Sequence, residues 1–153
     1  MPKKYYLAYG SNLNVNQMSF RCPGAKIIGT AMLKGWQLLF KGSGSGFYLT
    51  IEKREGSELP VAVWEITDAD EKNLDCYEGY PIFYTKRTMM VRCKCIADGK
   101  TRILHAMVYT MRPDREPGLP RMSYVDTCLD GYRVFGFNTA YLEQAIDYTK
   151  EVM

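Results

Sequence analysis

Tyr5-Tyr6-Leu7-Ala8-Tyr9-Gly10-Ser11-Asn12-Leu13 runs from a strand through a turn into the start of a helix. Tyr5, Tyr6 and Leu7 are β-preferring and apolar. Gly10 has no Cβ, so the backbone can turn sharply there and approach a ligand closely. Ser11 and Asn12 can each cap the helix that follows, leaving several backbone N–H groups aimed into one small space. Such a strand–turn–helix receives a carboxylate or a polarised carbonyl oxygen. An ordinary turn with a helix cap has the same local sequence, and this stretch alone does not separate the two.

Outward from this turn, strand-like stretches occur at 4–8, 27–40 (broken near Gly35), 47–52, 61–66, 84–96 and 101–110. Asp98-Gly99 between the last two is a hairpin signal. Helical patterns occupy 14–21, 68–77, 123–135 and 139–152. Thr67, followed by Asp70 and Glu71, supplies a cap and an acidic first turn. Gly136 stands where a left-handed cap closes the third helix. Most strands are joined by turns rather than by helices. The expectation is therefore an α+β fold: a mixed, mainly antiparallel sheet curled into a barrel-like core with helices outside. The 153 residues show no repeat and no Pro/Ser-rich linker, and residues 1–153 read as a single domain. Leu39-Phe40-Lys41-Gly42-Ser43-Gly44-Ser45-Gly46 lacks the Gly-Lys-Ser/Thr ending of a phosphate loop and precedes a strand-like Phe47-Tyr48-Leu49-Thr50-Ile51. It reads as a mobile hairpin loop able to close over a ligand.

A net charge of +3 with scattered Lys and Arg excludes nucleic acid as an expected partner. The 12 Tyr sit among apolar strand residues, where core packing accounts for them. Met1-Pro2-Lys3-Lys4 precedes an apolar run that breaks at Gly10, too short for a secretory signal, and no apolar segment spans a bilayer. A cytoplasmic protein without membrane contact is expected. Cys22, Cys76, Cys93, Cys95 and Cys128 contain no C-x-x-C pair and read as reduced thiols. His105 is the only histidine, so no metal site is expected, and Ser–His and Cys–His catalysis are poorly supported.

Leu74-Asp75-Cys76-Tyr77-Glu78-Gly79-Tyr80-Pro81 carries the second chemical element. Gly79 and Pro81 stop the helix, which leaves Glu78 at its C-terminus among Tyr77, Tyr80 and Tyr84. The negative end of the helix dipole and an aromatic surround both favour the protonated carboxyl. A carboxyl raised in this way suits proton transfer near neutral pH. The alternative is a surface Glu paired with Lys86 or Arg87.

Together, Tyr9-Gly10-Ser11-Asn12 after the first strand and Leu74-Asp75-x-x-Glu78-Gly79-Tyr80-Pro81 resemble the γ-glutamylcyclotransferase family, above all its small bacterial members. Pro120-x-x-x-Tyr124 and Gly131-Tyr132-x-x-Phe135-Gly136 extend the resemblance over nearly the whole chain. Asn12 after Ser11 separates this chain from the glutathione-specific branch. The resemblance implies a substrate-binding segment at Tyr6, Leu7, Ala8, Tyr9, Gly10 and Ser11, a substrate-contacting phenol at Tyr124 and a proton acceptor at Glu78; Asn12 joins the candidate binding residues as part of the same turn. It implies cyclisation of a γ-glutamyl group to 5-oxoproline without cofactor or metal, the partner being that small molecule; a monomer or weak homodimer is the general expectation for a chain of this size. Arg121 stands where relatives carry Ser, and it reads as a solvated surface residue. A non-catalytic domain holding a small acid in the Gly10–Asn12 turn is the competing reading. Nothing in loops 42–46 or 111–121 spells out the leaving group.

Overall fold

The computed structural model describes residues 3–153; the lead Met1-Pro2 lies outside the described residues. In chain order the elements are β1 (Lys4–Ala8), a single 3-10 turn (Ser11–Leu13), α1 (Val15–Arg21), β2 (Lys26–Ser43), β3 (Gly46–Ile66), α2 (Asp68–Glu78), β4 (Tyr84–Cys95), β5 (Thr101–Met111), β6 (Glu116–Pro117), α3 (Met122–Phe135) and α4 (Ala140–Val152). The strands follow the order β3-β1-β5-β4-β2-β6, and β2 also pairs with β3. That additional pairing closes five strands into a ring, with the short β6 attached to β2. Among the described residues only β1 against β5 is parallel, at Tyr6 and Met107; the other pairings are antiparallel. The expected α+β architecture with a mixed, barrel-like sheet is present.

β2 and β3 are the arms of one long hairpin. Residues 53–58, Lys-Arg-Glu-Gly-Ser-Glu, are polar and largely exposed, so the apolar pattern lapses there, yet the backbone stays extended. The two strands expected at 47–52 and 61–66 are thus one. The expected break near Gly35 is a register shift between Lys34 and Trp36, with no interruption of the strand. Gly35 has φ +84° and Gly56 φ +83°, left-handed values at the two facing irregular points where the ribbon bends. The Asp98-Gly99 turn joins β4 to β5 as expected, with Asp98 Oδ1 accepting from Lys100 N at 3.0 Å. Thr67 and Asp70 complete a reciprocal capping box at the start of α2, and Gly136 caps α3 at φ +70°.

One cluster of buried residues fills the barrel and continues beneath the helices, including Leu7, Leu49, Val63, Leu74, Val108 and Tyr132. α4 is tied to β2 through Thr149, whose Oγ1 accepts from Phe40 N at 2.9 Å. α3 packs against the 3-10 turn. A Cβ on Gly131 would lie 2.4 Å from Leu13 Cβ and 2.5 Å from Leu13 C, so glycine there lets the helix touch the turn's backbone. Gly131→Ala gains about 1 kcal/mol of helix propensity but must displace main chain, which typically costs about 1–3 kcal/mol. A net loss of up to about 2 kcal/mol is expected. It will register as a lower urea midpoint with an unchanged slope.

Candidate active site

β1 ends inside the barrel mouth and delivers Tyr9 and Gly10 to its rim. The Tyr9 hydroxyl donates to the Tyr109 carbonyl at 2.7 Å, fixing the exit of the strand. Gly10 has φ −130°, so left-handed freedom is not what glycine supplies here. Its missing Cβ leaves room instead: one would lie 3.2 Å from Tyr124 Oη. The expected capping roles also move. Asn14, not Ser11 or Asn12, caps α1 by accepting from Gln17 N at 3.1 Å. This frees the Ser11 and Asn12 side chains to face the barrel mouth. Ser11 Oγ lies 3.2 Å from the Tyr77 hydroxyl. Asn12 Nδ2 donates to the Tyr6 hydroxyl at 2.9 Å and, at 3.5 Å, to Glu78 Oε1.

The opposite wall is the end of α2. Gly79 stops that helix at φ +65°, making Glu78 its last residue. The carboxyl shares a cavity of about 350 Å³ with the Gly10–Asn12 turn; Tyr6, Tyr9, Tyr48, Tyr84, Tyr109 and Tyr124 are half of the other residues in its wall. Such a volume falls within the range of about 300–1,000 Å³ usual for small-molecule sites. Tyr124 Oη accepts from Leu49 N at 3.2 Å, and the Tyr84 hydroxyl donates to Leu49 O at 2.7 Å. Both phenols are thereby anchored to the same residue of β3.

Burial pushes the Glu78 carboxyl up to about 7, and the positive charge of Arg21 holds it from rising further. The aromatic surround is therefore the operative cause, as its sequence neighbours suggest. Burial also raises Tyr6, Tyr9, Tyr84 and Tyr124 well above the ordinary phenol value, so all four are neutral donors at physiological pH. Glu78 has neither of the surface partners considered for it. Lys86 binds Glu71 at 2.7 Å and Asp75 at 2.9 Å, and Arg87 lies 5.4 Å from the centroid of the Trp36 ring.

Of the residues marked in the sequence, Tyr6, Tyr9, Gly10, Ser11, Asn12, Glu78 and Tyr124 converge on this cavity. Leu7 and Ala8 are buried in the core and do not reach its wall; Arg121 and His105 are exposed and lie away from it. The 42–46 loop is the tight turn between β2 and β3, held by a 2.9 Å contact between the Ser43 and Ser45 hydroxyls, and Ser45 forms part of the cavity rim. Tyr48 and Tyr109 line the site without local warning, because strand alternation does not tell which face of a closed sheet becomes a cavity; Phe83 reaches it from the α2–β4 connection. Arg21 was also unmarked. Its guanidinium binds Asn12 Oδ1 and lies 3.5 Å from the centre of the Tyr77 ring. All five cysteines are free; Cys76 is exposed at the cavity and the other four are buried. Among the described residues no group of three or more His, Cys, Asp or Glu is placed to hold a metal ion. No helix of the described residues is long and apolar enough to cross a membrane.

The family described as gamma-glutamyl cyclotransferase, AIG2-like, matches residues 6–135. A solved gamma-glutamyl cyclotransferase superposes with a TM-score of 0.80 at 24% identity, over 99% of this chain and 89% of that one. An uncharacterized human protein superposes with a TM-score of 0.79 at 25% identity, over 100% of this chain and 89% of that one. YkqA from Bacillus subtilis gives a TM-score of 0.75 at 17% identity, over 99% of this chain and 56% of that longer one. No curated protein sequence matches.

The raised carboxyl makes stability pH-dependent. Glu78 titrates near 7 in the folded chain against an ordinary 4.5, so its protonated form favours folding. That contribution is complete below about pH 4.5 and is lost as pH rises through 7. Glu78→Gln removes the penalty, so relative to the wild type the variant gains stability between pH 5 and pH 8. A gain on the order of 2 kcal/mol is expected from paired urea titrations at those two pH values.

Proposed function

The chain belongs to the AIG2-like gamma-glutamyl cyclotransferase family, and on that premise we propose that it cyclises a γ-glutamyl group to 5-oxoproline, releasing an amine or amino acid, with Glu78 carrying the proton. The observation that supports this most directly is the shared cavity: a carboxyl titrating near 7 faces the Gly10–Asn12 turn across a space of small-molecule size.

A γ-glutamyl amide contains its own nucleophile. The α-nitrogen attacks the γ-carbon, a new C–N bond closes the five-membered ring, and the original amide C–N bond breaks. At neutral pH the α-amine is an ammonium and must first lose a proton. A carboxylate with a value close to the working pH accepts that proton and passes it to the departing nitrogen without a large uphill step at either stage. Electrons change partners but nothing is oxidised or reduced. Negative charge gathers on the former carbonyl oxygen as the ring closes, where the N–H groups around Gly10 and Ser11 stabilise it. Loss of one such donor typically costs about 2.7–4 kcal/mol of barrier. The neutral phenols of Tyr6, Tyr9 and Tyr124 complete the binding surface and limit water. Because the nucleophile arrives with the substrate, a fold that holds the chain in a ring-closing conformer does much of the work.

Incubation with a panel of γ-glutamyl dipeptides and γ-glutamylamines, read by 5-oxoproline release, tests the reading. Product from at least one member is expected, with the acid limb of kcat/KM near pH 7. Binding without product from any member would instead support a ligand-holding module. Glu78→Gln should fold and lose nearly all turnover; retention of more than about a tenth would remove Glu78 from the proton-carrying role. Tyr124→Phe strands the Leu49 N–H, costing about 1 kcal/mol of stability. Its KM should rise several-fold, and an unchanged KM would show that the phenol does not touch substrate.

A further inference from the structure

We propose that Arg21 is a positioning residue of this site: from the last turn of α1 it pins the Asn12 amide and the Tyr77 ring, and so sets how Glu78 faces the Gly10–Asn12 turn. The kinetic part of its test rests on the cyclotransferase reading; the structural part does not.

Arg21 is half-buried and lies outside the cavity wall, so it acts through its neighbours. Its Nη1 donates to Asn12 Oδ1 and its Nη2 to Gln17 Oε1. A guanidinium offers donors only, so the atom of Asn12 that meets it must be the carbonyl oxygen. The amide nitrogen is thereby turned toward the Tyr6 hydroxyl at 2.9 Å and Glu78 Oε1 at 3.5 Å. Without the guanidinium the amide is free to flip, which would aim an oxygen at the carboxylate. Arg21 thus selects the amide orientation that tolerates ionised Glu78.

The same guanidinium lies 3.5 Å from the centroid of the Tyr77 ring, and the Tyr77 hydroxyl is 3.2 Å from Ser11 Oγ. Tyr77 is the neighbour of Glu78 on α2, so one side chain braces both walls of the cavity. Arg21 also supplies the positive charge acting on Glu78. Burial keeps the phenols that face Glu78 (Tyr6, Tyr9, Tyr84, Tyr109 and Tyr124) neutral. On β4, Lys86 is held by Glu71 and Asp75, and Arg87 lies against the Trp36 ring. Lysine cannot replace this arrangement, because an ammonium lacks the planar fork that bonds two acceptors while lying flat on a ring.

The test is an NMR titration of the 13C-labelled Glu78 carboxyl in the wild type, Arg21→Met and Arg21→Lys. Arg21→Met should move the midpoint upward by roughly one pH unit. Arg21→Lys, which keeps the charge, should move it by less than half as much. With a γ-glutamyl amide that the wild type cyclises, both variants should lose about tenfold in kcat at pH 7 with KM within about threefold. The acid limb of Arg21→Met should follow its titration midpoint. A folded Arg21→Met with an unmoved midpoint would overturn the proposal. If Arg21→Met does not fold, Arg21→Lys decides alone: wild-type kcat there would show that charge suffices and would also overturn it. A shifted midpoint in a protein that yields no 5-oxoproline would sustain the role of Arg21 while removing the cyclotransferase reading.

Discussion

The Asn12 amide stands between the Arg21 guanidinium on one side and the Tyr6 hydroxyl and Glu78 carboxyl on the other, and these partners leave it one orientation. Most of what distinguishes this molecule is arranged around that contact. It joins the turn after β1 to the end of α2, two segments separated by 66 residues of chain. A carboxyl moved out of water is costly unless something nearby compensates its charge. Here the compensation is partial: burial raises Glu78 to about 7 and Arg21 limits the rise. The result is a group that changes protonation in the physiological range.

The barrel holds these groups at their distances. β1 sits between β3 and β5, so its exit is fixed from both sides, and Tyr9 is bonded across to Tyr109 of β5. β3 adds Leu49, whose backbone N–H and C=O bind Tyr124 and Tyr84 respectively. α3 contributes twice: Gly131 allows it to rest on Leu13, and that seating presents Tyr124 to Gly10. Behind α2, Asp75 receives the Tyr109 hydroxyl at 2.6 Å and the Lys86 ammonium at 2.9 Å, which anchors the helix one turn before Glu78. The site is therefore built largely on packed strands and helix ends, with Ser45 of the β2–β3 turn and Phe83 of the α2–β4 connection completing its lining.

Elements with self-contained signals were legible. Thr67 with Asp70, Gly79, Gly136 and Asp98-Gly99 each act within a few residues, and each takes the expected cap or turn. Signals that depend on distant packing misled. The polar run at 53–58 reads as a gap between strands, but pairing with the opposite arm of a long hairpin keeps it extended. Gly10 reads as a sharp turn with room for close approach; the chain does turn there, with a negative φ, and what the missing Cβ makes room for is the Tyr124 hydroxyl. Ser11 and Asn12 read as helix caps, a task that Asn14 performs two residues later and that leaves their side chains for the cavity.

Strand and helix patterns were enough for the fold class, and residue type and neighbours marked Glu78 and the Gly10–Asn12 turn, whereas Tyr124 was marked through the family resemblance alone. Which of those groups share a space is a property of sheet closure. Leu7 and Ala8 stand in the same short strand as Tyr6, yet they end in the core: the pleat turns Leu7 to the opposite face, and Ala8, on the face of Tyr6, has only a methyl that stops short of the cavity. Arg21 carries no local mark at all: it became part of the site when α1 packed beside α2 and set a guanidinium against an amide and an aromatic ring. Short-range chemistry is written in neighbouring letters; the dryness around Glu78, and with it the protonation near neutral pH, exists only once strands far apart in the chain have shut water out.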